Sequence, residues 1–128
     1  MLGDANAYAT IAVKDLAAAK QFYADTLGLV AEEGGEDPGG VFYKTGSTKV
    51  FVYQSSYAGT NQATTATWGV PNTDEVVKAL AAKGITFEHY DSIPGVTLEG
   101  DVHVMGELRA AWFKDPDGNI LNVVNHAD

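Results

Sequence analysis

The feature that most constrains the fold of this chain is an internal repeat. Val13-Lys14-Asp15 recurs as Val70-Pro71-Asn72, 57 residues later. After the first copy, Leu16, Ala19, Phe22, Tyr23 and Leu27 follow at spacings of three and four, which predicts an amphipathic helix capped by Asp15 and stopped by Gly28. After the second, Val76, Val77, Leu80 and Ala81 repeat the spacing and Gly84 repeats the stop, now at an offset of 56. Phe42-Tyr43-Lys44-Thr45-Gly46 is echoed by Trp112-Phe113-Lys114-Asp115 with Gly118, and each precedes an apolar strand, 50–53 and 120–124. Each half therefore reads strand, helix, strand, strand, strand. The expected organisation is a single α+β domain made of two βαβββ modules, the first over about 5–57 and the second over about 62–126.

Period-two alternation makes 7–13 a strand, with Ala9, Ile11 and Val13 on one face and Tyr8, Thr10 and Ala12 on the other. Gly34, Gly35, Pro38, Gly39 and Gly40, interleaved with Glu36 and Asp37, predict an acidic turn between strands at 29–33 and 41–44. Further strands are expected at 49–54 and 85–89. The halves differ in length: Gly28 to Gly46 is 18 positions and Gly84 to Gly118 is 34, so the second carries about 16 extra residues. They are expected as an inserted loop at about 90–108, rich in Pro94, Gly95, Gly100 and Gly106, which is either a binding loop or a tolerated excursion.

The composition narrows the partners. Against 17 Asp and Glu the chain has 8 Lys and Arg, a formal charge of −9, so phosphate backbones and anionic membrane surfaces repel it and neither nucleic acid nor membrane is expected as a partner. Without cysteine there is no thiolate nucleophile and no Cys-based metal site. No apolar run approaches the roughly 20 residues that span a bilayer, and the start lacks a secretory pattern, so a cytoplasmic location is expected.

Ile11-Ala12-Val13-Lys14-Asp15-Leu16, Phe22-Tyr23 and Leu27-Gly28-Leu29 together resemble the opening module of the vicinal oxygen chelate superfamily, the glyoxalase, bleomycin-resistance and dioxygenase group. The run from Ala111 through Trp112, Asp115, Pro116 and Gly118 to Asn119 resembles the turn into that family's last strand. The resemblance spans nearly the whole chain. It implies modules whose sheets curl into one cup-shaped sheet, commonly completed in a homodimer. It also implies where metal ligands would stand in metal-using members: the equivalent positions are Tyr8, Thr65 and Asn122, with Phe51, Val52 or Tyr53 as the fourth. None carries the imidazole or carboxylate that Zn²⁺, Fe²⁺ or Mn²⁺ needs, so no metal or other cofactor is expected. The turn also has its own physics, with Pro116 presetting φ, Asp115 bonding forward and Gly118 accepting a positive φ.

Parity places Tyr8, Thr10, Thr65, Thr67, Asn122 and Val124 on the cup face. Val50 and Val52 suit the helix side, which leaves Phe51 and Tyr53 for the cup. His103 in the insertion and Arg109, the chain's only arginine, would close it, although Arg109 could equally pair with one of the carboxylates. The expected ligand-binding set is therefore Tyr8, Thr10, Phe51, Tyr53, Thr65, Thr67, His103, Arg109 and Asn122, with no catalytic residue assigned. Trp68 and Trp112 read as packing, and His89 and His126 as solvated. Such a surface suits a flat, partly apolar small molecule. The function expected is metal-independent capture of an aromatic or natural-product ligand, resembling the drug-sequestering members of the family, with the acidic balance favouring a cationic ligand. The alternative is an enzyme, either a metal lyase, isomerase or dioxygenase with ligands elsewhere, or a metal-free one using Tyr8, His103 or Arg109.

Overall fold

The computed structural model describes residues 1–37 and 39–126, with the backbone alone described at 35–37. Pro38, part of the expected turn, lies outside the described residues. The chain divides into two compact units, Met1–Thr60 and Asn61–Asp128.

In the first unit, β1 (Ala9–Val13) leads into α1 (Leu16–Lys20), which continues with π-type hydrogen bonding over Gln21–Thr26. Asp15 starts the helix as expected: its Oδ1 accepts the backbone N–H of Ala17 at 2.8 Å and of Ala18 at 3.3 Å. Gly28 stops it at φ 81°, where Leu29 N–H can reach back 2.9 Å to the Tyr23 carbonyl. Then come β2 (Val30–Asp37), β3 (Gly40–Thr45) and β4 (Thr48–Gln54). The sheet order is β1-β4-β3-β2, with β1 parallel to β4 and the other pairs antiparallel. The glycine-rich segment is therefore not a long turn. Glu36 and Asp37 pair with Val41 and Gly40, and the ladder merely slips between Ala31 and Glu36, because cross-strand hydrogen bonds outweigh the turn preference of the glycines.

The second unit repeats this plan with β5 (Thr64–Gly69), α2 (Thr73–Ala82), β6 (Phe87–Glu88), β7 (Thr97–Glu99), β8 (Val102–Met105), β9 (Leu108–Lys114) and β10 (Ile120–Val124). Asn72 Oδ1 caps α2 by accepting Glu75 N–H at 3.1 Å, and Gly84 closes it at φ 94°. As in the first unit, the first strand lies parallel to the last: β5 pairs β10, which pairs β9.

The expected inserted loop contains a hairpin. Within 90–108, β7 and β8 form an antiparallel hairpin, and β8 pairs β9. Phe87 and Glu88 oppose Phe113 and Trp112, so an uninterrupted strand would set Tyr90 opposite Ala110; His103 stands there instead, and 103 − 90 is 13 residues. β6 and β8 are thus two pieces of one strand position on the edge of β9, separated by a 13-residue excursion. Edge hydrogen bonds reward the chain for returning to the same ladder, which is why a glycine-rich insertion still ends in a strand.

Each unit buries one sheet face beneath its helical segment. Ile11, Val13, Tyr23, Tyr43, Val50 and Val52 form the first core, and Ala111, Phe113, Leu121, Val123 and Val102 the second. The alternation read from the sequence holds: Thr10, Phe51, Tyr53 and Thr67 stand on the faces opposite these cores, half-buried or exposed.

Candidate functional site

The first unit carries a ladder of rings on its open sheet face. Register puts Thr10, Phe51 and Phe42 side by side across β1, β4 and β3, and Ala12, Tyr53 and Gly40 beside them two residues on. Tyr8 meets Phe42 edge to face at 5.4 Å, Phe42 lies 4.5 Å from Phe51, and Phe51 stacks parallel on Tyr53 at 6.0 Å. Gly40 makes room for the ladder: a Cβ there would lie 2.5 Å from Phe51 Cζ. Tyr8, 44% exposed, ends the row over a cavity of about 560 Å³ lined also by Asn6, Glu32, Lys44, Ser47 and Lys49. The Lys49 ammonium sits 4.6 Å from the Phe42 ring centre and 5.5 Å from that of Tyr8, a cation–π arrangement that holds it at the cavity wall. Of the expected set, Tyr8, Thr10, Phe51 and Tyr53 share this face. Phe42 was missed, because only the β3–β4 register sets it beside Phe51.

In the second unit, the open face brings together Thr67, Asn122, Trp112 and His103 through the β5–β10–β9–β8 register. Asn122 is buried, and its amide donates to the backbone carbonyls of Ala111 at 3.0 Å and Val123 at 3.3 Å. Thr65 falls where the β5–β10 register slips, and its hydroxyl accepts the Asn61 amide at 3.4 Å. His103 does not sit in a loop. It lies on β8, only 3% exposed, in a triangle of rings with Tyr90 (5.9 Å) and Trp112 (4.9 Å), and Tyr90 and Trp112 meet edge to face at 5.6 Å. Trp112, expected as packing, also donates its indole N–H to Thr64 Oγ1 at 3.1 Å. Burial pushes the His103 imidazole below its ordinary value, and the neighbouring Ala110 backbone offsets this only in part. Burial, helped by the Glu88 charge, raises the Tyr90 phenol. Both side chains are therefore neutral at pH 7.

Arg109 faces the other way. It opposes Val104, one residue out of phase with His103, and its guanidinium grips Asp74 of α2 through two hydrogen bonds at 2.7 and 2.9 Å and Glu99 of β7 through one at 3.1 Å. Those carboxylates hold the arginine's ionisation well above its ordinary value, and Arg109 in turn lowers that of Asp74. Its carbonyl accepts the buried Thr73 hydroxyl at 2.8 Å. Arg109 clamps helix to sheet, the carboxylate pairing that its sequence reading left open, and does not share the face that carries His103. The Asp115–Asn119 turn is likewise built on its own bonds. Asp115 Oδ1 accepts N–H groups of Asp117 and Asn119 at 3.0 and 2.9 Å, and Gly118 takes φ 91°.

A divalent metal does not fit the positions where the family resemblance would place its ligands. Tyr8, Thr65 and Asn122 offer a phenol, a hydroxyl and an amide, none of them the imidazole or carboxylate such a metal needs. Among the described residues no three His, Asp or Glu side chains gather into a cation site.

The comparisons agree with this architecture. The model of the Glyoxalase/Bleomycin resistance protein/Dioxygenase superfamily matches residues 6–123. A member of that superfamily from Sphaerobacter thermophilus is 28% identical, with a TM-score of 0.65, covering 96% of this chain and 98% of its own. Lactoylglutathione lyase from Agrobacterium tumefaciens is 21% identical, with a TM-score of 0.67 and 94% and 92% of the two chains covered. The fosfomycin resistance protein FosX from Listeria monocytogenes is 15% identical, with a TM-score of 0.68 and the same two coverages, 94% and 92%. Both of the latter are similar in fold. No curated protein matches the chain significantly. No helix among the described residues is long and apolar enough to cross a membrane. With a family match over nearly the whole chain and the repeated strand–helix–sheet plan in both units, the chain belongs to the glyoxalase/bleomycin resistance protein/dioxygenase superfamily.

Proposed function

We propose that this protein binds a planar aromatic small molecule without a metal, by stacking it on the Tyr8–Phe42–Phe51–Tyr53 ladder of the first unit. The observation that carries the reading is the ladder itself: four rings in edge, tilted and stacked contact on one open sheet face, ending at a cavity of about 560 Å³. Rings already held by one another lose little freedom when a further ring joins them, and stacking is worth about 0.5–1.5 kcal/mol per pair beyond burial. Thr10, at the edge of the row, supplies a hydroxyl for orientation.

The cavity also qualifies the charge preference. The chain as a whole is acidic, but Lys44 and Lys49 oppose each other across β3 and β4 at the cavity wall, so the local field there is less negative than the net charge of −9 suggests. The working form is a homodimer, since Leu2, Val30 and Tyr57 in the first unit and Met105 and Leu108 in the second leave apolar surface that a second copy could cover.

The test is a fluorescence titration with two planar dyes, ethidium as cation and 8-anilinonaphthalene-1-sulfonate as anion, repeated after treatment with EDTA. At least one should bind saturably at one per chain, unaffected by EDTA and weakened about tenfold by Phe51→Ala. No saturable binding of either dye, or binding that Phe51→Ala leaves unchanged, refutes the proposal. Native mass spectrometry of the same sample should give twice the chain mass; a monomer refutes the dimer.

A further inference from the structure

The second unit holds two buried polar atoms without a hydrogen-bond partner, His103 Nδ1 and the Tyr90 hydroxyl, on neighbouring rings. Such atoms are rare in folded proteins and call for a physical reason. Their hydrogen-bonding sense follows from the other end of the imidazole. His103 Nε2 lies 2.8 Å from the backbone N–H of Tyr90, so it accepts, and the proton of the neutral ring must sit on Nδ1. Nδ1 is then a donor beside the Ala110 backbone, which acts on the ring without forming a well-aligned hydrogen bond to it. The Tyr90 phenol, kept protonated by its surroundings, is a second one.

Two unsatisfied donors on adjacent rings ask for an acceptor that can receive from both, which is what a carbonyl oxygen with its two lone pairs provides. Trp112 stands edge to face with both rings, so a flat molecule brought to these donors meets its indole as well. Glu88 opposes Trp112 across β6 and β9, and its charge acts on Tyr90; Asp91 acts on His103. Lys114 lies 3.6 Å from Glu88 and offsets part of its charge, so Asp91 and the remainder of Glu88 disfavour an anion here, whereas a neutral carbonyl meets no such penalty.

We propose that Tyr90 and His103 together bind the oxygen of a neutral, planar carbonyl compound, with Trp112 as the packing surface. Tyr90 opens the 13-residue excursion between β6 and β8, whose own bonds, Ile93 N–H to the Tyr90 carbonyl and Val96 N–H to the Ile93 carbonyl, are internal to it. It is tied to the sheet by the Tyr90 N–H bond to His103 Nε2 and by Glu99 to Arg109, which keep the two donors side by side. The site is independent of the ring ladder in the first unit.

The experiment uses the full chain carrying Trp68→Phe, so that Trp112 is the sole indole. Its fluorescence and the ¹⁵N resonances of His103 are followed while acetophenone or benzamide is added, with benzoate as the anionic comparison. The free protein should show His103 with its proton on Nδ1. Acetophenone or benzamide should shift both signals saturably, benzoate at least tenfold more weakly. Tyr90→Phe and His103→Phe, which keep the rings and remove the donors, should each weaken the neutral probes about tenfold. A proton on Nε2, no saturable shift with either neutral probe, tighter binding of benzoate, or binding indifferent to both variants each overturns the proposal. If the two variants raise the urea midpoint and no probe binds, the donors are only an internal water site.

Discussion

Replacing Gly40 by alanine tests whether the ring ladder is built the way its geometry implies. A Cβ at this position would lie 2.5 Å from Phe51 Cζ, 2.8 Å from Cε1 and 2.7 Å from the Val52 carbonyl oxygen. Contacts of this kind need more than 3 Å, so about half an ångström or more must be found on two sides at once. The phenyl ring can swing, but doing so leaves its stack on Tyr53. The carbonyl cannot swing, because it belongs to the β4 backbone that pairs with β3 and β1. Overpacking that forces a ring off its rotamer and nudges a strand costs about 1–3 kcal/mol. With a urea dependence of about 2 kcal/mol per molar, the unfolding midpoint should fall by about 0.5–1.5 M at unchanged slope. Dye binding should weaken along with it. Gly39→Ala is the control: nothing lies within 4 Å of its added Cβ, and its stability should stay within about 0.5 kcal/mol of the parent. If Gly40→Ala unfolds at the parent midpoint and binds dye as the parent does, the ladder is not positioned by the absence of a Cβ, and the reasoning fails.

Asp115→Ala should cost about 3 kcal/mol in urea unfolding, since it strands the Asn119 backbone N–H and side-chain amide, both held by the buried carboxylate at 2.9 and 2.8 Å. A loss below about 1 kcal/mol would show that water replaces the carboxylate freely. Thr73→Val keeps the shape but deprives the Arg109 carbonyl of a hydroxyl donor at 2.8 Å, and should cost about 1–2 kcal/mol without altering probe binding. Protonation of His103 should weaken the fold in acid. Its folded value lies below the ordinary value of about 6.5, so as pH falls through about 6.5 the unfolded chain takes up the proton first. Stability is full above that pH and declines below it, towards the depressed folded value. His103→Gln should remove this part of the loss between pH 7.5 and 5.5, and identical pH profiles for parent and variant would contradict a neutral buried imidazole.

The two units differ in how much of their site could be foreseen. In the first, period-two alternation along β1 and β4 is enough to place Tyr8, Thr10, Phe51 and Tyr53 on one face, because a strand's faces follow from parity alone. Phe42 needed the cross-strand register, which pairs it with Phe51, and no property of residues 40–45 taken alone specifies that register. In the second unit, Arg109 and His103 group in the sequence because one lies in the insertion and the other just beyond it. On β8 and β9 they fall out of phase and point to opposite faces. Tyr90 carried no signal, since its partner His103 is 13 positions away and is brought to it only by the return of the chain to the edge of β9.

The chain alone determined the repeated strand–helix–sheet plan, the caps at Asp15 and Asn72, the glycine stops, the buried faces and the absence of metal-ligating side chains at the family positions. These are local matters: a cap, a positive φ, a helical or pleated period and a side chain's donor atoms depend on a few adjacent residues. Only the tertiary structure decided that the glycine-rich segment near 34–37 joins a ladder, that the insertion becomes a hairpin, that Arg109 clamps α2, and that Tyr90 and His103 share unsatisfied donors. Each of these depends on hydrogen bonds or charges contributed by a distant part of the chain, and such partners are chosen by folding, after the local preferences have had their say.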